Sequence, residues 1–156
     1  MNELRVSADG SALRNPNGPA GWCWFLDESC WASGGWERNT NNVAELTAVQ
    51  ELLTATSLIC ESLVIETDSR YTINALTTWI VGWRRSGWRT AQGQPVKNAE
   101  LIVDIDRLLV GRVVLFEWVK GHAGHPRQER ADDLARAAAT AIGAGRSPAS
   151  GPGWRH

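Results

Sequence analysis

"SLVIETDS" (residues 62–69) is a short apolar run, Leu63-Val64-Ile65, that closes on an acid and a hydroxyl residue, Asp68-Ser69. Such a run, rich in β-branched residues and bounded by turn formers, is typical of a buried strand. A second stretch, "LRVSADGS" (4–11), alternates apolar and polar residues and ends in the same way, at Asp9-Gly10-Ser11. The alternation predicts a strand over 4–8 ending at a turn. If the two strands lie side by side and parallel, Asp9 and Asp68 both reach the carboxyl edge of the sheet, where open α/β folds place their sites.

Between them, "AGWCWFLD" (20–27) and "SCWASGGW" (29–36) are Trp-rich strands separated by acidic turn residues, and they predict a meander with the first strand. From Asn42, Val43, Leu46, Val49, Leu52 and Leu53 recur at helical spacing, with Asn41 or Asn42 able to cap the helix start. Helical periodicity resumes with Tyr71, Leu76, Trp79, Ile80 and Trp83, breaks around Gly93 and Pro95, and restarts after Asn98, the expected cap of the next helix. "RVVLFEWV" (112–119) reads as the last strand, and Pro126 suits the first turn of a closing helix whose core stripe is Ala131, Leu134, Ala135, Ala138 and Ile142. The order predicts an α/β fold, a five-stranded mixed sheet flanked by helices, over residues 1–142. The Gly-, Pro- and Ser-rich remainder, 143–156, predicts a flexible tail or the start of a linker to a further C-terminal domain in a longer chain.

The chain's 156 residues are 43% hydrophobic, enough for one compact domain. No apolar run approaches a membrane span and "MNELRVSADG" lacks a basic-then-apolar leader, so the expectation is a cytoplasmic protein, acting as a monomer. Cys23, Cys30 and Cys60 form no CxxC pair and are odd in number, which argues against a disulfide framework or a zinc ribbon and for buried thiols. Net charge is −1, but no acid lies between Asp68 and Glu100, where Arg70, Arg84, Arg85, Arg89 and Lys97 contribute +5 and leave −6 on the rest. One basic segment sits on an acidic body.

Glu45 falls in the expected first turn of the helix after the meander, and Asp132 in the first turns of the last helix. Each acid alone also reads as a turn residue or a helix-start acid. Together, two at strand ends and two near helix starts could converge on one point. At about 5 Å and an effective dielectric near 20, each ionised pair repels by roughly 3 kcal/mol, so an empty cluster retains protons. Oxygen-only ligands select a hard divalent ion, Mg²⁺ or Mn²⁺, over zinc. Two such ions about 4 Å apart can activate water and stabilise the leaving oxygen of a phosphoryl displacement.

The set resembles type 1 ribonuclease H over residues 4–142. The likeness is carried by "DGS" at 9, "TNNVAEL" at 40, "TDS" at 67, "PVKN" at 95 and, most specifically, "WVKGHAGHPRQERADDLARAAA" at 118. It implies a ribonuclease H-like fold and an endonuclease that cuts the RNA strand of RNA/DNA hybrids by a two-metal-ion mechanism, leaving 5′-phosphate and 3′-hydroxyl ends. It implies that Asp9, Glu45, Asp68 and Asp132 hold two Mg²⁺ or Mn²⁺ ions, and that Asp133 is the adjacent, non-catalytic acid. The same resemblance makes His122 a proton-transfer or product-release group on a mobile Gly-flanked loop, which suits an imidazole near neutral pH. His125 reads as structural, and "HAGH" without nearby thiols does not read as a zinc site.

For the substrate, "WIVGWRRSGWRT" (79–90) resembles the family's basic protrusion, so Arg84, Arg85, Arg89 and Lys97 are expected on DNA phosphates, with Trp79 and Trp83 packing. Asn15, Asn41 and Asn42 match positions that sense the ribose 2′-OH, where an amide both donates and accepts. Arg38, Thr40 and Asn98 resemble a DNA-phosphate pocket, and Asn74 an additional minor-groove contact. One departure is Arg70, where relatives carry Gln after the Asp-Ser pair. Two other readings remain, a hybrid-binding module without turnover and an integrase-like DNA-cutting nuclease of the same fold. The intact acid set argues against the first, and the Asn pair, basic protrusion and Gly-His loop against the second.

Overall fold

In the computed structural model, which describes residues 3–155, the elements are β1 (Glu3–Ala12), β2 (Gly18–Asp27), β3 (Cys30–Asn39), α1 (Asn41–Ala55), β4 (Ser62–Thr67), α2 (Arg70–Asn74), α3 (Ile80–Arg85), α4 (Ala99–Leu109), β5 (Val114–Trp118) and α5 (Pro126–Gly143). A π-helical turn, Ala75–Trp79, joins α2 to α3. The sheet order is β3-β2-β1-β4-β5, with β1–β2 and β2–β3 antiparallel and β1–β4 and β4–β5 parallel. The expected mixed sheet and the β1–β4 neighbourhood are therefore present.

Side-chain alternation divides the core between two faces. Val6, Ala8 and Trp24 face a core shared with Leu46, Val49 and Leu53 of α1 and Ile102 and Ile105 of α4, whereas Cys23 and Phe25 pack with Ala131 and Ala135 of α5. Helix α1 buries the unbroken run Ala44–Val49 because it is covered on both sides, by the sheet and by α4. A bond from Gln50 Nε2 to Asp104 Oδ2, 2.7 Å, ties those two helices.

Several local expectations are corrected. Strand β1 runs through Asp9-Gly10-Ser11 to Ala12, because β2 continues to pair with it (Asp9 with Cys23, Gly10 with Trp22) after its last parallel pair, Ser7 with Glu66. The cap of α1 is Thr40, whose Oγ1 accepts from Val43 N at 3.1 Å, and not Asn41 or Asn42. Asn98 stands at the cap position of α4 in a left-handed conformation (φ 63°) and makes no side-chain cap; it donates to Tyr71 Oη at 3.0 Å. Cys23 and Cys30 are buried, but Cys60 is exposed.

The tail also departs from its composition. Helix α5 reaches Gly143, and the segment beyond returns to lie along β3: Ser33 Oγ donates to Ala149 O (2.8 Å), Ser33 N to Ser150 O (3.2 Å) and Gly153 N to Trp31 O (2.9 Å). The Trp154 ring comes within 5.9 Å of Trp24, centroid to centroid. An apolar anchor and sheet-like bonds thus hold residues 149–154, where Gly and Pro content alone suggested looseness. Among the described residues, no helix is long and apolar enough to cross a membrane.

Candidate active site

Three acids meet where β1 outruns β4. Asp9 sits inside β1, Asp68 directly follows β4, and Glu45 lies in the second turn of α1, one turn later than expected. One oxygen from each can be chosen so that all three lie within 4.8 Å of one another. Asp9 is 2% exposed and Glu45 8%. Gly10 N donates to Asp9 Oδ1 at 2.9 Å, which leaves Asp9 Oδ2 and Glu45 Oε2 buried without a hydrogen-bond partner among the described residues.

Unpartnered carboxylates so placed resist ionisation. Burial, then the charge of Asp68, pushes Asp9 up to about 8. Burial and then Asp9 hold Glu45 well above the usual carboxylate range. Asp68 is raised by burial and then by Asp132, while the charge of His122 pulls it partly back. The cluster therefore has acceptors pointing at a common point and too little positive charge to satisfy them. An all-oxygen donor set with two orphaned buried oxygens fits a hard divalent cation, which would remove the repulsion that holds the protons.

Asp132 stands apart from this trio. It lies on α5 with its side chain 21% exposed, and its carboxylate is ion-paired to Arg136 one helical turn on. Its field still reaches Asp9 and Asp68, raising both. Asp133 is 60% exposed and approaches Arg136 at 3.8 Å, in keeping with a surface acid.

The Gly-His loop passes directly over Asp68. A Cβ added at Gly121 would lie 2.7 Å from Asp68 Oδ2, so any larger residue here would have to displace that carboxylate oxygen. His122 is exposed and left-handed (φ 57°). His125 is structural: its Nδ1 accepts from Gln128 N at 3.2 Å and caps α5, while Nε2 faces Glu66 Oε2 at 3.4 Å.

The remaining expected residues divide. Asn15 and Asn41 meet at the β1–β2 turn, where Asn15 Oδ1 accepts from Asn41 N (3.2 Å) and Asn41 Oδ1 from Ala12 N (2.8 Å), bonds that use their amide oxygens and not their NH₂ groups; Asn42 follows in the first turn of α1. Asn74 lines a pocket beside Asp68 with Arg70, Ile73 and Trp118. Arg70 lies over the Trp118 ring, 4.2 Å from its centroid, and Trp118 Nε1 donates to Asp68 O at 3.2 Å. Thr40 caps α1 through Val43 N, Asn98 donates to Tyr71 Oη and lines a pocket with Val43, and Arg38 is exposed. In the protrusion, Arg85, Arg89 and Lys97 are exposed, but Arg84 grips Asp106 of α4, Nε to Oδ2 at 3.1 Å. Trp79 is 42% exposed and continues an aromatic row, Tyr71-Trp79-Trp83-Trp88, with centroid spacings of 5.9, 5.9 and 6.3 Å.

Sequence reading missed Glu66, a fully buried acid on β4, and the pairing of Arg136 with Asp132. The only signal for Glu66 was an acid within an apolar strand two residues before Asp68.

Comparison with known proteins agrees with the geometry. The family model for RNase H matches residues 1–140. The ribonuclease H of Tropheryma whipplei (strain Twist) is 49% identical over 153 residues, covering 98% of this chain and 94% of that one. The ribonuclease H of Escherichia coli is 43% identical over 142 residues, covering 89% and 90%. Among solved structures, LC9-RNase H1, described as a type 1 RNase H with the type 2 active-site motif, superimposes with a TM-score of 0.73 at 27% identity, covering 97% of this chain and 77% of that one. Strand order, the carboxylate trio at the β1–β4 edge and these relatives lead to one conclusion: the chain belongs to the ribonuclease H family.

Proposed function

We propose that the chain is an endonuclease that hydrolyses the RNA strand of RNA/DNA hybrids, with two Mg²⁺ ions held by Asp9, Glu45, Asp68 and Asp132. The observation that carries this reading is the trio Asp9, Glu45 and Asp68, with two buried oxygens, Asp9 Oδ2 and Glu45 Oε2, that have no hydrogen-bond partner among the described residues. Bound divalent ions would supply a water of lowered pKa and stabilise charge on the phosphate and leaving oxygens. The chain's residues do the rest. Asp9 and Glu45 fix the ligand oxygens from two rigid elements, and Asp132 completes the set by exchanging Arg136 for the site. His122, exposed on its loop, delivers the proton that the departing ribose 3′-oxygen takes up as water adds to phosphorus. The outcome is a 5′-phosphate on one fragment and a 3′-hydroxyl on the other.

Selection of RNA rests on Asn15, Asn41 and Asn42, whose amides suit a 2′-OH in a shallow minor groove. Arg85, Arg89 and Lys97 hold DNA-strand phosphates, with Asn74 and Arg38 as further contacts. The catalytic unit is residues 1–142. A reducing compartment such as the cytoplasm suits three unpaired cysteines.

The test is incubation with matched hybrid, double-stranded RNA and double-stranded DNA, in Mg²⁺ and in chelator, with end-group analysis. Cleavage of the hybrid alone, abolished by chelator, is expected. Cutting of the DNA duplex, or hybrid binding without cutting, overturns the reading in favour of a DNA nuclease or a binding module respectively.

A further inference from the structure

The molecule buries one ionised cluster that the proposed chemistry does not use. Glu66 is 2% exposed, near the carboxyl end of β4 and between β1 and β5. Its Oε1 accepts from Ser7 Oγ at 3.2 Å and Arg127 Nε at 3.0 Å, and its Oε2 accepts from Arg127 Nη2 at 3.0 Å and Arg5 Nη1 at 3.5 Å, with His125 Nε2 at 3.4 Å. Removing a carboxylate from water is offset only by close, well-directed partners. Most of that compensation comes from Arg127, whose guanidinium takes both oxygens as a fork.

The location of these partners is informative. Arg127 and His125 are the first residues of α5 and its cap, and His125 is committed twice: Nδ1 accepts from Gln128 N, so its proton lies on Nε2 and faces Glu66. Two residues beyond Glu66, directly after β4, stands Asp68. Three residues before the His125 cap stands His122, and five after Arg127 stands Asp132. One buried carboxylate therefore joins the end of β4 to the start of α5, between the two segments that bring the remaining site residues.

We propose that Glu66, through Arg127 and His125, is a positioning residue that sets the start of α5, and with it Asp132 and His122, against Asp68. The proposal rests on the hybrid-cleaving reading and deepens it: the clamp ties the end of β4 to the start of α5 through side chains that need no bound cation.

Arg127→Ala is the primary test, since Arg127 is 34% exposed and its loss leaves Glu66 with Ser7, Arg5 and His125. Expected are a fall in kcat on a hybrid of roughly 10–100-fold and a matching loss of Mg²⁺ affinity, the latter read by calorimetry on substrate-free protein. KM should stay within about twofold, because the hybrid-contacting residues are untouched. Arg127→Lys, which keeps the charge but not the fork, should recover part of both losses, and Glu66→Gln should reproduce the Ala variant. A lowered melting temperature with kcat and Mg²⁺ affinity at wild-type values would make the clamp purely structural and overturn the proposal. Failure of the wild-type chain to cut hybrids would sink the hybrid-cleaving reading instead, and the calorimetric comparison would still decide the clamp.

Discussion

Gly10 and Glu45 meet backbone to backbone: a Cβ built on Gly10 would lie 2.4 Å from the Glu45 amide nitrogen and 2.5 Å from the carbonyl carbon of Ala44. Helix α1 can rest on β1 this closely only because position 10 has no side chain, and that contact is what carries Glu45 to Asp9. Gly10→Ala should push the helix away. We expect a loss of about 1–3 kcal/mol in denaturant unfolding, typical of an overpacked contact. Cleavage should fall further than the folded fraction does, since Glu45 moves with the helix; equal falls would separate the contact from the site.

Asp9→Asn should have opposite effects on activity and stability. Activity should vanish, because a ligand oxygen is lost. Stability without metal should rise near neutral pH. The Asp9 carboxyl titrates at about 8 in the fold against 3.8 for an ordinary Asp, so between those values the folded chain binds more protons than the unfolded one and loses stability as pH rises. Asn removes that penalty. A gain of even 1 kcal/mol raises Tm by roughly 2–4 °C for a domain of this size. Added Mg²⁺ should raise the wild-type Tm and leave the variant nearly unmoved; a variant that melts lower than wild type at pH 7 without metal contradicts the burial argument.

The protrusion's arginines should not be equivalent. Arg84 is held by Asp106, whereas the Arg89 guanidinium donates to a carbonyl, Gly93 O at 3.0 Å, and forms no ion pair among the described residues. Arg85→Ala with Arg89→Ala should reduce the slope of log K against log salt by roughly 2, about 0.9 per phosphate contact. Arg84→Ala should change the slope less and stability by roughly 0.2–1 kcal/mol, as for an exposed ion pair. Equal slope changes for all three would reject the distinction.

Trp154→Ala tests the docked tail. The ring is partly buried against Trp24 and the core around it. Its loss should cost about 1–3 kcal/mol, less than a fully buried Trp, with kcat unchanged because the tail lies at the far edge of the sheet from Asp68. An unaltered melting curve would show that the ring adds nothing.

The sheet could be read from the sequence because its signals are local. The run Leu63–Ile65 stopping at Asp68, the two Trp-rich strands, and the Ala131-Ala135-Ala138 stripe each lie within one element. What was not legible depended on partners distant in the chain. Nothing in "ADGS" tells that β2 continues beyond β4, so Asp9 read as a turn residue although it lies within a strand. Asn41 and Thr40 are both good caps, and the choice of Thr40 depends on Asn41 being drawn to Ala12 N. Glu66 looked like an ordinary strand residue because its compensating charges, Arg5 and Arg127, are about 60 positions away on either side. The choice of Asp132 over Asp133 came from family likeness. Asp132 is the less exposed of the two, 21% against 60%, and is paired with Arg136.

The segment bonded along Trp31 and Ser33 also changes what β3 offers to other molecules. A border strand normally displays unpaired N–H and C=O groups that a second polypeptide can match. Here the Ser33 amide and the Trp31 carbonyl are already taken by Ser150 and Gly153 of the same chain. The opposite border, β5, is only five residues long, with the charged Glu117 within it. Neither margin is a long bare template, so a shortened chain ending near residue 148 should show fibrous self-recruitment through β3 that the intact one resists.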